Sequence, residues 1–457
     1  MTRPDLLRSL PAIDKVLKTD TVSALRREWL PRLVDDEVRA VVAETRQRIL
    51  DGEEVSGLEA ETLAAAAGSR LAARLAPGYS RCINATGVVL HTGLGRALLP
   101  PAALSALQRE LSGYNLVSID REEGARVRRE STIARILCAL TGAEAATMVN
   151  NNAAATLITL NTVAAGKQAI LSRGQLVEIG GSFRMPEVFR AAGVELCEVG
   201  TTNRTHLHDY RDAICEETGL LLRVHPSNYR VVGFTNEVSL EELVALGREH
   251  DIPVVDDLGA GALVDYPPEP RIADSMRLGA DLLTCSGDKL IGGPQAGIIL
   301  GKRTWIDRVR RNPLFRTLRV DKLALVAMEA TLRLFLRPDG PGEGHPTWRM
   351  LRRTSEELAQ SAASLAKLIQ RDAEPFTTDL RAGFSQVGSG SLPGESLPTT
   401  LVRLHHPDRE ASALARALRR SEPAVFTRIV DDHVCLDPRT IQEDEEMALI
   451  EILRKLA

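Results

Sequence analysis

The stretch DLLTCSGDKLIGGPQAGIILG, residues 281–301, places a single lysine, Lys289, in a glycine-rich turn between two apolar, strand-like runs. Such flanking strands predict that the turn is buried. Because burial disfavours the charged form of an amine, it lowers the pKa of a lysine and makes the free amine available for a Schiff base with an aldehyde. From this stretch alone, a partly exposed lysine on a hairpin is an equally good interpretation.

The sequence around this turn, from residue 81 to about 320, alternates short apolar runs with helical stretches. The runs are AATMVNN, QAILSRG, LLLRVHP, IPVVDDLG and DLLTCSG. Repeated strand–helix–strand order indicates parallel pairing through crossover connections. We therefore predict an α/β fold with a mostly parallel sheet covered by helices, in which a ligand binds at the carboxyl ends of the strands.

The two flanking segments have different patterns. Residues 1–80 show helical apolar spacing without a strand signal and end at Pro77-Gly78, whereas the segment after 325 mixes helices and strands. We predict a helical domain over 1–80, a catalytic domain over 81–325 and a small α+β domain over 326–457. The Gly/Ser/Pro-rich residues 384–398 predict a loop in the last of these.

Composition excludes several classes of protein. No apolar run in the 457 residues is as long as a membrane span, and the N-terminus lacks a signal peptide's apolar centre, so we expect a cytoplasmic enzyme without a membrane partner. The six cysteines form no CxxC pair, which indicates free thiols and no metal site. A net charge of −4 argues against general nucleic-acid coating and DNA binding, but it leaves room for a local basic surface that grips one RNA.

Two glycine motifs resemble nucleotide-binding signatures but lack residues that those signatures require. GLGRAL, residues 93–98, lacks the third glycine of a dinucleotide fingerprint, and GGPQAGII, residues 292–299, lacks the lysine and hydroxyl residue of a P-loop. Neither motif therefore indicates a nucleotide site.

Three features at strand ends point to pyridoxal phosphate instead. VNNNAAATL enters a helix at Asn151 and Asn152, where backbone N–H groups can hold a phosphate, although an ordinary asparagine cap is the alternative. In PVVDDLGAG, Asp257, or alternatively Asp256, ends a strand and can pair with a protonated pyridine nitrogen. Lys289 follows 289 − 257 = 32 residues later, with Ser286 before it as a further phosphate ligand. Their joint order favours a cofactor site over coincidence.

With these residues in place, the chain resembles the bacterial selenocysteine synthases, the L-seryl-tRNA(Sec) selenium transferases of the fold-type-I pyridoxal phosphate superfamily. The resemblance covers nearly the whole chain. It runs through INATGVVLHTGLGRALL (83–99), VNNNAAATLITL (149–160), LSRGQLVEIGGSFRMPEV (171–188), VHPSNYRVVGFT (224–235), DDLGAGALVD (256–265), SGDKLIGGPQAGIILGK (286–302) and FRTLRVDK (315–322).

The resemblance implies roles for individual residues. Lys289 matches the cofactor-binding lysine, and Asp288 matches an acid that assists removal of the serine hydroxyl. Three arginines match residues of the substrate pocket, and a strand-end group could contact the cofactor ring. The arginines are Arg96, Arg316 and Arg319, and the strand-end group is His225, Ser227 and Asn228.

The implied reaction converts seryl-tRNA(Sec) into selenocysteinyl-tRNA(Sec). It proceeds through β-elimination to aminoacrylyl-tRNA and addition of selenium from selenophosphate. The resemblance also implies a homo-oligomer, a ring of ten subunits built from five dimers. Two positions depart from the family pattern, since Gly93 stands where asparagine is usual and Gln175 where glutamate is usual.

Two other functions are compatible with the pattern. One is a pyridoxal phosphate lyase acting on a small amino sugar or amino acid, which would have no need of the helical domain over 1–80, whereas a transferase that selects one tRNA by shape would. The other is a non-catalytic RNA-binding protein, which would be expected to have lost Lys289 or Asp257, and both are present.

Overall fold

The structure is a computed structural model that describes residues 3–181, 183–388 and 396–457. The chain divides into two compact units, Met1–Arg81 and Cys82–Ala457. Within the described ranges, no helix is both long enough and apolar enough to cross a membrane.

The first unit is a small helical bundle with its own core. A buried carboxylate, Glu37, lies inside it and accepts from Arg70 Nε at 2.8 Å and Arg74 Nη1 at 3.0 Å. Apolar side chains from four of its helices, among them Val22 and Leu71, form a separate cluster. Its helices are α1 (Arg3–Ser9), α2 (Ile13–Leu17), α3 (Asp20–Glu28), α4 (Pro31–Leu50) and α5 (Ala60–Leu75).

The second unit contains every strand in the described residues. They are β1 (Cys82–Asn84), β2 (Ala145–Val149), β3 (Gln168–Ser172), β4 (Glu178–Ile179), β5 (Phe183–Arg184), β6 (Glu195–Val199), β7 (Thr218–Val224), β8 (Val254–Gly259), β9 (Leu282–Ser286), β10 (Gly297–Gly301), β11 (Thr377–Ser385), β12 (Leu397–His405), β13 (Ala424–Phe426), β14 (Arg428–Val430) and β15 (His433–Leu436).

Helices connect and cover these strands. They are α6 (Pro101–Leu111), α7 (Ser131–Thr141), α8 (Asn152–Ala164), α9 (Met185–Ala192), α10 (Leu207–Ala213), α11 (Leu240–His250), α12 (Ile272–Leu278), α13 (Arg303–Arg311), α14 (Leu314–Thr317), α15 (Lys322–Leu334), α16 (Pro346–Arg352), α17 (Ser355–Asp372), α18 (Ala411–Arg419) and α19 (Glu446–Leu456). Short 3₁₀ turns occupy Thr92–Leu94, Arg173–Gln175 and Glu443–Glu445.

The central sheet has seven strands in the order β2-β10-β9-β8-β7-β3-β6. Only β10 runs antiparallel to its neighbours, β2 and β9, and the other pairs are parallel. Strands β2, β9 and β10 are buried at every position, as is typical of a sheet with helices on both faces. The predicted fold class, α/β with a mostly parallel sheet covered by helices, is confirmed.

A second sheet lies in the C-terminal part of the chain, with the antiparallel order β11-β12-β15-β14. Its core is shared with α17, α18 and α19 and includes Leu365, Val402 and Leu449. Strand β11 was not predicted, and it occupies the first two residues of the predicted loop 384–398, while β12 occupies the last two. Residues 389–395 of that loop lie outside the described part of the chain.

Two segments pack against elements on the far side of the boundary predicted at residue 325. Helix α15 continues across residue 325, and its Leu325, Met328 and Leu332 pack in the core of the central sheet. Strand β1 pairs in parallel with β13, and its Ile83 packs in the core of the C-terminal sheet. Helix α15 therefore belongs to the core of the central sheet and β1 to the core of the C-terminal sheet, whatever their order along the chain.

Candidate active site

A cavity of about 260 Å³ lies at the carboxyl ends of the central strands, where the parallel fold was expected to bind a ligand. Its polar lining comes from the ends of β8 and β9 and from segments that follow β1, β2, β7 and β9, so the fold brings together residues that are far apart in the sequence. These polar residues are Arg96, Asn151, Asn152, His225, Ser227, Asp257, Ser286, Lys289 and Gln295.

Lys289 lies in the turn between β9 and β10 and is 4% exposed. The turn is held closed by backbone hydrogen bonds, from Gly287 N to Ala296 O at 2.8 Å and from Gly292 N to the Lys289 carbonyl at 2.9 Å. Burial, followed by the nearby Arg96 guanidinium, lowers the pKa of Lys289 below its usual range. The predicted burial of this lysine is confirmed, and the hairpin with an exposed lysine is excluded.

Asp257 lies on the side of β8 that faces α8 and lines the cavity. Its Oδ1 accepts from Asn152 Nδ2 and Thr284 Oγ1, both at 3.0 Å, and Thr156 Oγ1 lies 3.1 Å from its Oδ2. Burial raises the pKa of Asp257 against the opposing effect of these three donors. A positive charge in the cavity would stabilise the ionised form of this buried carboxylate.

Asp256 points to the opposite face of the sheet, because successive strand residues alternate between faces. Its carboxylate pairs with Arg223 Nη1 at 2.8 Å and accepts from Ser275 Oγ on α12 at 2.7 Å. It is fully buried in this ion pair and does not line the cavity. Of the two adjacent aspartates, the geometry therefore favours Asp257 as the cavity carboxylate.

The N-terminus of α8 points at the same cavity. Asn151 caps the helix, since its side chain accepts from Ala154 N at 2.8 Å, and Asn152 and Ala153 in the first turn line the cavity. First-turn N–H groups have no acceptor within their helix, so they can hold an anion. Asn152 Oδ1 is buried and has no hydrogen-bond partner among the described residues.

His225 follows β7 at the edge of the cavity. Burial lowers the pKa of His225 to about 4, so its imidazole is neutral at neutral pH, and its Nδ1 has no partner in the described part of the chain. Ser227, two residues on, is buried and also lines the cavity, whereas Asn228 points away and donates to Glu178 O at 2.7 Å. His225 and Ser227 are therefore available to a ligand, and Asn228 holds the loop.

The arginines expected to form one substrate pocket fall into two groups. Arg96 lines the Lys289 cavity and donates from Nη1 to Asp288 Oδ2 at 2.9 Å. Arg319 instead lines a second cavity of about 400 Å³ together with Arg126 and Arg129, and among the described residues neither it nor Arg316 lines the Lys289 cavity. Arg129, together with burial, Arg316 and Arg126, lowers the pKa of Arg319, as expected where like charges collect.

Sequence analysis missed the two threonines that hold Asp257. Thr284 lies two residues before Ser286 in β9, and Thr156 lies four residues after Asn152 in α8. Strand residues two apart share a face, and helix residues four apart share a side, so both spacings contained a usable signal. Gly259, which also lines the cavity, lies two residues after Asp257 in β8 and shows the same strand spacing, whereas Gln295 has no such spacing to a predicted site residue.

The two departures from the family pattern differ in position. Gln175 is buried, and its Oε1 accepts from Val224 N at 3.0 Å, which fixes the end of β7 just before His225. Gly93 is exposed in a 3₁₀ turn near His91, three residues before Arg96. Gln175 therefore supports the cavity wall through an acceptor that a glutamate would also provide.

Several known proteins are similar to this chain over most of its length. The L-seryl-tRNA(Sec) selenium transferase of Nitratidesulfovibrio vulgaris is 45% identical over 466 residues, covering 98% of this chain and 98% of that protein. That of Alkaliphilus metalliredigens is 42% identical and covers 100% of both chains. Among solved structures, D-glucosaminate-6-phosphate ammonia-lyase has a TM-score of 0.59 at 21% identity, covering 84% of this chain and 97% of that one, a likeness of fold alone.

A sequence profile described as L-seryl-tRNA selenium transferase matches residues 82–442, which include every residue of the cavity. The profile match and the identity of the full-length relatives lead to the same conclusion: this chain belongs to the L-seryl-tRNA selenium transferase family.

Proposed function

We propose that this protein converts L-seryl-tRNA(Sec) into L-selenocysteinyl-tRNA(Sec), with pyridoxal phosphate as cofactor and selenophosphate as selenium donor. The observation that carries the proposal is the pair of Lys289 and Asp257, buried in one cavity at the carboxyl ends of adjacent parallel strands. Full-length relatives at 41–45% identity bear the name of this activity.

The residues of the cavity fit the proposed cofactor. Asp257 would hold the protonated ring nitrogen, because it is a buried carboxylate that lines the cavity. The first turn of α8 at Asn152 and the Ser286 hydroxyl would hold the phosphate, and neutral His225 would contact the ring. Asn152 Oδ1 and His225 Nδ1 have no hydrogen-bond partner among the described residues, which supports the fit, because buried polar atoms normally have a partner.

When bound, pyridoxal phosphate supplies an electron sink for negative charge at the substrate Cα. The chain supplies the proton transfers. Lys289 Nζ, whose lowered pKa favours the free amine, would carry the cofactor and later take the proton from the seryl Cα. Asp288, held by Arg96 at 2.9 Å, would assist removal of the serine hydroxyl, which would leave as water with the proton that Lys289 Nζ took from Cα.

Selenium addition needs an anion site for selenophosphate. Arg96 offers a guanidinium at the cavity, and Arg316 and Arg319 offer a second cluster of positive charge with Arg126 and Arg129. A planar guanidinium fork suits oxyanions of this kind. Because the second cluster does not line the Lys289 cavity, we propose that the active site is completed between subunits of a homo-oligomer. The resemblance implies a ring of ten subunits, and we propose that the protein acts in the cytoplasm.

The helical unit Met1–Arg81 is proposed to recognise the tRNA, since structured RNA is read by shape and backbone contacts over a surface. The alternative of a lyase acting on a small amino sugar or amino acid has weaker support. The ammonia-lyase with that fold is only 21% identical, and its match covers 84% of this chain.

The proposal is tested by selenium transfer with purified protein. Wild type, Lys289→Ala and Arg319→Ala are incubated with seryl-tRNA(Sec) and labelled selenophosphate, and label recovered as selenocysteine is measured after deacylation. We expect transfer by wild type, no transfer by Lys289→Ala, and a raised KM for selenophosphate in Arg319→Ala with unchanged cofactor absorbance. Absence of label on tRNA in the wild-type reaction would contradict the proposed function.

A further inference from the structure

The backbone that carries Lys289 is buried and irregular. We name residues 287–296, between β9 and β10, the Lys289 turn. Residues 287–293 of this turn are buried, and none of them belongs to a helix or a strand. The carbonyls of such a segment have neither water nor a sheet ladder to pair with, so each needs a donor from elsewhere in the fold.

Side chains of the α16 segment supply two of these donors. Trp348 Nε1 donates to Leu290 O at 3.0 Å. His345, at the N-cap of the same helix, has its Nε2 2.9 Å from Ile291 O. Both side chains are fully buried. The two carbonyls belong to the residues that directly follow Lys289, so the α16 segment is bound to the chain immediately next to the reactive amine.

The protonation state of His345 makes it a donor. Burial lowers the pKa of His345 to about 4, so its ring is neutral at neutral pH and carries one proton. Because a carbonyl oxygen can only accept, this proton lies on Nε2, which faces Ile291 O. The Phe335 ring packs edge-on against the imidazole, with 5.3 Å between the ring centroids, and helps to fix the direction of Nε2.

Helix α16 is held in place by contacts of its own. Arg439, in the segment after β15, is buried, and its Nη1 donates to Met350 O of α16 at 2.8 Å. The Trp348 ring packs edge-on against the Tyr266 ring, with 5.4 Å between the ring centroids. The donors to the Lys289 turn therefore lie on an element that is fixed by other parts of the fold.

We propose that His345 and Trp348 are positioning residues that hold the Lys289 turn in the conformation needed for proton transfer at the substrate Cα. The proposal rests on the proposed function, in which Lys289 carries the cofactor and then takes that proton. A lysine side chain is flexible, so its Nζ reaches the same point reliably only when its Cα is fixed. Among the described residues, neither His345 nor Trp348 lines the Lys289 cavity, so both act through the turn and not on the substrate.

The test is hydrogen exchange of the full-length protein loaded with pyridoxal phosphate, measured by peptide mass spectrometry. Trp348→Phe removes one donor and keeps an aromatic ring, and His345→Leu removes the other donor. His345→Gln places an amide nitrogen near the position of Nε2 and should behave like wild type. His406→Leu is the matched control, because His406 also packs against a phenylalanine, with 5.0 Å between the ring centroids, and its Nδ1 accepts from Asp408 N.

The amides of the Lys289 turn should exchange about 5- to 100-fold faster in Trp348→Phe and His345→Leu than in wild type. The reason is that a buried carbonyl left without its donor favours local opening of the turn. Amides of β7 are the internal reference and should exchange at the wild-type rate. In selenium transfer, kcat should fall by a similar factor while the KM for seryl-tRNA(Sec) is unchanged, since neither side chain binds the substrate.

Faster exchange of β7 together with the turn would show a general loss of stability and would overturn the proposal. Wild-type exchange of the turn in both donor-less variants would overturn it as well, and so would a kcat loss in His406→Leu as large as that in His345→Leu. Failure of wild type to transfer selenium would overturn the proposed function, and the exchange rates would still decide whether these side chains hold the turn.

Discussion

Asp256 and Asp257 are adjacent in β8 and have different surroundings, so their substitution should have different effects. Asp257→Asn removes the negative charge that would face the ring nitrogen, and we expect turnover to fall about 100-fold or more. Asp256→Asn leaves Arg223 without its buried partner, which should cost about 3 kcal/mol of stability and leave the cofactor absorbance unchanged. Spectra, turnover and thermal unfolding of the two variants distinguish these effects. The reverse pattern would assign the ring nitrogen to Asp256.

Glu269 should make stability depend on pH. It is 4% exposed, neither carboxylate oxygen has a partner among the described residues, and burial raises the pKa of Glu269 from 4.5 to about 7. Because the folded-state pKa exceeds the unfolded value, the native state binds more protons between these two pH values. Stability therefore falls as pH rises through this window, by up to about 3 kcal/mol, and stays low above it.

Glu269→Gln removes this titration, so its melting temperature should exceed that of wild type at about pH 8 and approach it at about pH 5. Thermal unfolding of both proteins at the two pH values measures the difference. A melting-temperature difference that is independent of pH would show that the carboxyl group is already charged in the native protein.

At the scale of elements, the turn after β9 has no room for a side chain at Gly292. Gly292 has φ +67°, and a Cβ there would overlap the His345 ring, whose Nε2 lies 2.9 Å from Ile291 O. Gly142, after α7, has a similar φ of +75° with nothing within 4 Å of a Cβ, and is the matched control.

Gly142→Ala should therefore cost only backbone strain, about 1 kcal/mol, whereas Gly292→Ala should cost several times more and weaken cofactor retention. Thermal unfolding and cofactor absorbance of the two variants give the comparison. Equal losses of stability would mean that the turn yields to the extra methyl group.

The elements that could be predicted from the sequence are those buried on both faces. Strands β2, β8 and β9 are short, mostly buried runs between helices, and their order along the chain predicted that Asp257 and Lys289 lie at the same edge of the sheet. Strand β11 was missed because it is an edge strand, mostly exposed and interrupted by Gly383, so it has neither an apolar run nor a clean alternation. Arg319 was expected in the substrate pocket, and it lines a different cavity from Lys289. A sequence motif gives a residue's neighbours along the chain and does not give the direction of its side chain.

At the scale of the whole molecule, the unit Met1–Arg81 is expected to be separable from the chemistry. Its core consists of its own side chains, and the described residues that line the Lys289 cavity all lie after Arg81 in the sequence. A variant that begins at Cys82 should therefore keep the cofactor absorbance and lose most of its affinity for tRNA and its discrimination between tRNA(Sec) and ordinary serine tRNA.

Filter binding at two salt concentrations, with full-length protein as the control, measures both properties, since phosphate contacts make binding fall with salt. Equal affinity and discrimination in the two proteins would assign the helical unit to assembly or stability. The separateness of this unit was predictable from its strandless pattern, whereas the pairing of β1 with β13 was not, because it joins segments more than three hundred residues apart.

The assignment of the active site is tested most directly by identifying the lysine that carries the cofactor. Protein loaded with pyridoxal phosphate is reduced with borohydride, digested and analysed by peptide mass spectrometry. We expect a phosphopyridoxyl group on Lys289, in the peptide that contains SGDKLIGGPQAG, and no such group in the Lys289→Ala protein. A group found on another lysine, or no group on any lysine, would contradict the assignment of the active site.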